Sequence, residues 1–112
     1  MARIDEQWAF LQDYCKLLAK AGELGFVVTA GELWRPPEMQ KIYLDTGRSK
    51  TMRSQHLERL AGDLNFFRDG KQVTRKADLQ VLGDYWESLS PVNRWGGNFK
   101  SLTDCPHFER NV

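Results

Sequence analysis

Histidine and cysteine are scarce in this 112-residue sequence: there are two of each, His56, His107, Cys15 and Cys105. The cysteines lie far apart and form no C-x-x-C pair, which excludes a zinc finger and a disulfide framework and leaves reduced thiols as the expectation. Net charge is also nearly absent. Sixteen basic against fifteen acidic side chains give +1, so no global field draws the chain to nucleic acid or to an anionic membrane. No apolar run is long enough to cross a bilayer, and none is expected to insert in one. The opening stretch "MARIDEQWAFLQDYCKLL" is interrupted by acids and lacks the core and cleavage site of a signal peptide. Synthesis in the cytoplasm without a signal peptide is therefore expected. Repeats, low-complexity tracts and linker-like composition are missing too, which predicts one domain over residues 1–112.

What is present is the material of a core. Hydrophobic residues make up 41% of the chain, with four Trp, six Phe and three Tyr, and charged residues make up 28%. That composition is globular, and the length suffices to bury a core without covalent staples. Ile4, Trp8, Leu11, Cys15 and Leu18 recur at steps of three and four, which predicts a helix from about Asp5 to Ala21 with that stripe inward. "GFVVTAGELWR" reads as a strand that delivers Arg35 at its far end. Pro36 and Pro37 suit the first turn of a second helix, where a missing N–H costs nothing.

Residues 47–55, "GRSKTMRSQ", form an aperiodic basic loop carrying Arg48, Lys50 and Arg53. "RLAGDLNFF" reads as the central strand, and "RDGK" as a hairpin turn returning through "QVT". Leu79, Leu82, Tyr85, Trp86 and Leu89 have helical spacing up to Pro91. A Gly-rich turn, "NRWGGNF", and a short strand at "HFER" finish the chain. Helices around hairpin-connected strands imply an α+β fold with a small, mainly antiparallel sheet.

Both histidines have an acid nearby. A catalytic zinc takes three ligands from His, Asp, Glu or Cys and keeps a fourth position open, and His56, Asp63 and His107 would make such a set. On one straight strand, residues seven apart face opposite ways, so His56 and Asp63 converge only if the chain bends between them, within Leu57 to Arg59. Asp104 precedes His107 by three residues with Pro106 between. A tight turn there puts the Asp104 carboxylate where it can take a proton from water and later return it to a leaving amine. The alternative is two ordinary histidines beside chance acids. Glu109, two after His107, would share its face on a strand and could hold the imidazole, or be an exposed strand acid. Trp95 could wall a cleft or simply pack. A further protein ligand from Cys105 would close the open position, so an idle thiol is expected there.

Three blocks resemble a known family. "RSQHLERLAGDL" is similar to the S-x-H-x(6)-D signature of the zinc peptidoglycan peptidases that include D-alanyl-D-alanine dipeptidases and carboxypeptidases and the L-alanyl-D-glutamate endopeptidases of phage endolysins. "RWGGNF" with "DCPHFE" resembles that family's second half, and "WRPPEMQKIYLDTGRSKT" its arginine-containing segment. The resemblance implies the hedgehog/D,D-peptidase-like fold and one Zn2+ held by His56, Asp63 and His107. It makes Asp104 the general base and Arg35 the cation opposite the metal, with Ser54 and Gln40 near the substrate. Ser54 and Gln40 read equally well as turn and helix-surface residues. Arg59 stands where the family usually has glycine, pointing to solvent or helping to hold an acidic substrate.

These readings predict a zinc metallopeptidase acting on the stem peptides of peptidoglycan. An endolysin-like L-alanyl-D-glutamate endopeptidase leads, because so short a chain has little to spare for lids around a tiny substrate. A D-alanyl-D-alanine carboxypeptidase or dipeptidase, and a non-catalytic module that binds wall peptides, are the alternatives. A monomer that binds no nucleic acid is expected. If the chain is a phage lysis enzyme, it would act at the bacterial wall.

Overall fold

Three helices and five short strands arise in the order α1 (Arg3–Glu23), β1 (Val27–Ala30), α2 (Pro37–Asp45), β2 (Ala61–Arg68), β3 (Lys71–Val73), α3 (Lys76–Leu89), β4 (Asn93–Trp95) and β5 (His107–Arg110). They are taken from a computed structural model that describes residues 2–112. Every strand pairing is antiparallel, in the order β1-β2-β5-β4 with β3 also on β2. The α+β class expected from the sequence is the one observed.

β2 is the spine of the sheet. Its first residues pair with β5, Ala61 opposite Glu109 and Asp63 opposite His107. Its later residues pair with β1 and β3. The β2–β3 hairpin turns through Asp69 and Gly70, both at positive φ (53° and 75°), the geometry that matches the twist of a two-residue hairpin. Along β5 all four residues are buried, so alternation along this strand separates two interiors. Phe108 enters the apolar core, while His107 and Glu109 point to the other face.

The core gathers Phe10, Tyr14 and Leu17 of α1, Leu79, Leu82 and Trp86 of α3, and Leu64, Phe66, Trp95 and Phe108 of the sheet. Trp95 is fully buried and its indole N–H donates to the Cys105 carbonyl at 2.8 Å, so it packs and does not wall a cleft. A Cβ on Gly83 would overlap the Trp95 ring; a side chain there would push the ring or the helix out of place.

Two expectations are corrected. α1 forms, but with the opposite face inward: Phe10, Tyr14, Leu17 and Ala21 are buried, whereas Ile4, Trp8, Leu11, Cys15 and Leu18 are exposed. Both stripes have helical spacing. The larger aromatic area of Phe10 and Tyr14, stacked on each other at 5.3 Å, goes inside, together with Asp13, which accepts from Asn93 at 3.0 Å, and Glu6, which accepts from Arg110 at 2.9 Å. Those two acids, whose hydrogen bonds come from tertiary partners, disguise the buried face as a polar one. The first strand also ends at Ala30, well short of Arg35. Beyond it Gly31 lies so close to Asp63 that a Cβ would sit 2.9 Å from the Asp63 Cβ. The chain continues as an irregular segment over the site, with the Asp63 N–H donating to the Glu32 carbonyl at 2.8 Å.

Candidate metal centre

Three separate local devices bring His56, Asp63 and His107 together. His56 sits in the turn over residues 55–59. Ser54 Oγ accepts from the His56 N–H at 3.2 Å, and Leu60 N–H closes the turn on the Gln55 carbonyl at 2.9 Å. Arg59 completes the bend with φ of 61°, in the left-handed region where the family resemblance places glycine, so the bend expected within Leu57 to Arg59 is present. Sheet register then sets Asp63 directly opposite His107. Finally, the turn before β5 folds over Gly96, whose carbonyl accepts from Asp104 N–H at 2.9 Å while the His107 N–H donates to the Asp104 carbonyl at 3.1 Å. A Cβ on Gly96 would fall 2.1 Å from that Asp104 carbonyl oxygen; this close approach requires glycine.

The orientation of each ring is fixed from behind. His56 Nδ1 lies 2.8 Å from the Leu33 carbonyl, which can only accept, so Nδ1 carries the proton and Nε2 is bare. His107 Nε2 lies 2.7 Å from Glu109 Oε1, so in the neutral ring Nε2 carries the proton and Nδ1 is bare. The two bare nitrogens face each other at 3.1 Å. Asp63 Oδ1 stands 3.2 Å from His56 Nε2 and 3.4 Å from His107 Nδ1, and it is buried with no hydrogen-bond partner. Three lone-pair donors, all within 4.8 Å of one another, thus converge on one point. Such a triangle accepts a cation at metal-ligand distances of about 2.0–2.2 Å. An orphaned buried carboxylate oxygen makes the same point energetically, since it is costly unless something positive meets it. The donor set fits a divalent ion, with two imidazole nitrogens and a single carboxylate suiting zinc or its neighbours.

Charge in the cluster follows this crowding. Burial opposes a charged His107, but the carboxylates of Asp63 and Glu109 outweigh it and lift its pKa to about 9, so in the metal-free centre the inward Nδ1 also takes a proton at neutral pH, which a bound metal would displace. Burial alone would also raise Asp63 and Glu109; the imidazoles hold Asp63 below the usual carboxylate range, and His107 and Arg94 do the same for Glu109. Asp104 goes the other way. Burial raises it, and Asp63's charge adds to the rise against the pull of His107, His56 and Arg35. A carboxyl lifted toward neutrality suits a group that must take up a proton and release it again.

Arg35 is buried and faces the same cleft. Its guanidinium lies 4.6 Å from the Tyr43 ring centroid, pairs with Glu32 through Nε, and donates through Nη1 to Gln40 Oε1 at 2.7 Å and to Ser54 Oγ at 3.4 Å. Here the expectation for Gln40 is corrected. It is completely buried, its amide donates to Ser49 Oγ and the Thr51 carbonyl at 2.9 and 2.6 Å, and it is not among the cleft-lining residues. Gln40 braces Arg35 and the basic loop from behind. Ser54 does line the cleft, while its oxygen serves the His56 turn.

The cleft above the three donors is about 870 Å³ in volume. Arg48, Lys50, Arg53, Arg94 and Lys100 line it with Arg35, and among the described residues Arg48, Lys50, Arg53 and Lys100 have no carboxylate partner. Arg59 does not join them: its guanidinium lies over the Trp34 ring at 4.7 Å, away from the cleft lining. Sequence reasoning missed Arg94, which donates to Glu109 Oε2 through Nε and Nη2 at 3.0 and 2.7 Å. Its signal was available only with register, since β4 sets Arg94 opposite Glu109.

A family described as D-alanyl-D-alanine carboxypeptidase matches residues 47–110, a span that includes all three donors and Asp104. Among solved structures, the fold is similar to the crystal structure of Serratia marcescens L-Ala D-Glu endopeptidase ChiX. The TM-score is 0.71 at 23% identity, over 89% of this chain and 79% of that one. No curated protein matches the chain.

Proposed function

The chain belongs to the D-alanyl-D-alanine carboxypeptidase family, peptidases of peptidoglycan, and from that premise we propose that it is a zinc-dependent endopeptidase cutting the L-alanyl-D-glutamate bond of stem peptides. One observation carries the metal part of this reading: His56 Nε2, His107 Nδ1 and Asp63 Oδ1 turn their lone pairs to a common point on the floor of a cleft. A divalent ion bound by these three side chains supplies Lewis acidity, polarising a peptide carbonyl and making water acidic at neutral pH.

The remaining steps belong to the protein. Asp104 accepts the proton of the attacking water and passes it to the departing amine. Arg35, held by Glu32, Gln40, Ser54 and the face of Tyr43, presents a fixed positive charge to the oxygen that becomes negative as the carbonyl carbon turns tetrahedral, at little reorganisation cost. Glu109 and the Leu33 carbonyl keep both imidazoles in the tautomer that leaves the inward nitrogen bare.

Two features favour a stem-peptide endopeptidase. The cations Arg48, Lys50, Arg53 and Lys100, which have no carboxylate partner among the described residues, suit a substrate with several carboxylates, as D-glutamate and a diamino acid provide. The cleft is wide for a dipeptide, and a polymer needs an open one. The fold of an L-Ala D-Glu endopeptidase is in keeping with this; the family's description favours the second reading, a D-alanyl-D-alanine carboxypeptidase.

Digestion of defined peptidoglycan, with and without chelator, followed by mass analysis, tests the proposal. New D-glutamyl amino termini that vanish with chelator are expected. Release of free D-alanine would select the carboxypeptidase instead, and bound metal without cleavage would mean a binding module. Neutralising Arg48, Lys50 and Arg53 together should raise KM on wall peptides by about tenfold or more while kcat changes little, as removal of uniform binding does.

A further inference from the structure

The outward face of α1 is an apolar feature that neither the core nor the cleft uses. Ile4 is 71% exposed, Trp8 61%, Leu11 43% and Leu18 38%, and Cys15 is exposed in the same row. The steps between them alternate four and three, which is the seam of a helix that packs lengthwise against another helix and not the broader stripe of a helix on a globular core. On one flank of the seam stand Asp5, Ala9, Gln12, Lys16 and Ala19, so that flank is small or uncharged except for one acid near its start and one base near its end; on the other, Arg3 and Gln7 already engage Glu58.

That arrangement is complementary to itself in one orientation. When two copies of α1 lie antiparallel about Leu11, Ile4 meets Leu18 of the second copy, Trp8 meets Cys15, Leu11 meets Leu11, and Asp5 meets Lys16. A two-fold axis repeats every one of these contacts, as an isologous interface requires. A parallel pairing would carry Asp5 and Lys16 of the two copies to opposite flanks of the interface and pair neither. Asp5 has no ion-pair partner among the described residues, and Lys16 reaches only Asp13 at 4.0 Å. The five residues expose roughly 500 Å², so complete covering of both faces removes on the order of 1,000 Å², the lower bound for a specific interface.

We infer that α1 is the self-association surface of this protein, joining two copies through an antiparallel helix pair whose register is set by Leu11 on Leu11 and by two Asp5–Lys16 pairs. The inference is independent of the proposed peptidase activity. The interface lies on α1 and uses none of the residues that line the cleft, so each copy keeps its own site accessible to wall substrate.

Sedimentation equilibrium of the full chain from about 1 µM to 1 mM, the span that covers weak interfaces, tests it. The mass should rise with concentration from 13.0 kDa toward twice that value. Leu11→Glu should weaken association at least tenfold with an unchanged far-UV spectrum, because the side chain is already half in water. Asp5→Lys and Lys16→Asp should each weaken it, whereas an equimolar mixture of those two variants should restore it, because each contact between positions 5 and 16 is then re-formed with its charges exchanged. A wild-type protein that stays at 13.0 kDa throughout would overturn the inference, including when α1 instead takes up lipid vesicles or wall polymer. A dimer insensitive to Leu11→Glu, or a mixture that fails to recover, would overturn it equally.

Discussion

Each imidazole of the centre is bound on two sides, and the two sides do different work. Toward the cleft, His56 and His107 offer bare nitrogens beside Asp63; behind, Leu33 and Glu109 hold their protons. Asp63→Asn keeps the shape but removes the anionic donor. It should abolish stoichiometric metal in the purified protein, as read by elemental analysis, together with cleavage. Asp104→Asn should keep the metal and lower kcat by about 10²- to 10⁴-fold, the usual contribution of a positioned acid–base group. Arg94→Ala should leave every donor in place yet weaken metal affinity about 10- to 100-fold, because Glu109 loses the guanidinium that holds it against His107. Competition with a chromogenic chelator measures this without reference to activity.

The His107 environment also gives a pH dependence. Its pKa is raised from 6.5 to about 9 by Asp63 and Glu109 against burial, so protonation of the folded state contributes stability that is complete below pH 6.5 and is lost as pH rises through about 9. Chelator-treated protein should therefore lose stability over that window, on the order of 3 kcal/mol in all, as chemical denaturation at a series of pH values would show. Excess zinc should abolish the loss, because the same three donors then require no proton.

Among the elements, β2 and β5 matter most, since their register makes Asp63 and His107 neighbours. The donor set was legible in the sequence because ligand chemistry restricts it to few residue types and only two histidines exist. The bend after His56 followed from the spacing to Asp63. What could not be read was pairing: Arg94 on Glu109 depends on the β4–β5 register, Gln40 looks like a helix-surface residue until Ser49 and Thr51 fold over it, and β4 looks like part of a glycine-rich turn. The choice of α1 face failed for a related reason, since Glu6 and Asp13 are buried only by virtue of Arg110 and Asn93. Gly83 is similar, an ordinary helix glycine until Trp95 is placed against it. Gly83→Ala should lower stability by about 1–3 kcal/mol, the cost of overpacking a filled core, despite alanine's better helix propensity. Thermal unfolding would show it.

At the scale of the whole molecule, the overall charge of +1 conceals an uneven surface. Many basic side chains elsewhere have an acid within reach, as with Lys20 and Glu23 at 3.2 Å or Lys41 and Asp45 at 3.2 Å, while among the described residues Arg48, Lys50, Arg53 and Lys100 around the cleft have no carboxylate partner. Composition alone could not reveal this, because net charge sums over positions that the fold sorts. Binding of acidic wall peptides should accordingly weaken as salt rises, with little change in the rate of bound substrate.

Arg110, beside the strand residues that shape the centre, is buried on Glu6 in the first helix, and His107 comes long after its two companions in synthesis. A nascent chain that has reached residue 100 already owns an imidazole and an acid, but no third donor and no anchor for the strand that carries it. The three-donor set is therefore complete only when β5 takes its place between β2 and β4, so a chain cut short before His107 lacks both the third donor and the strand that presents it.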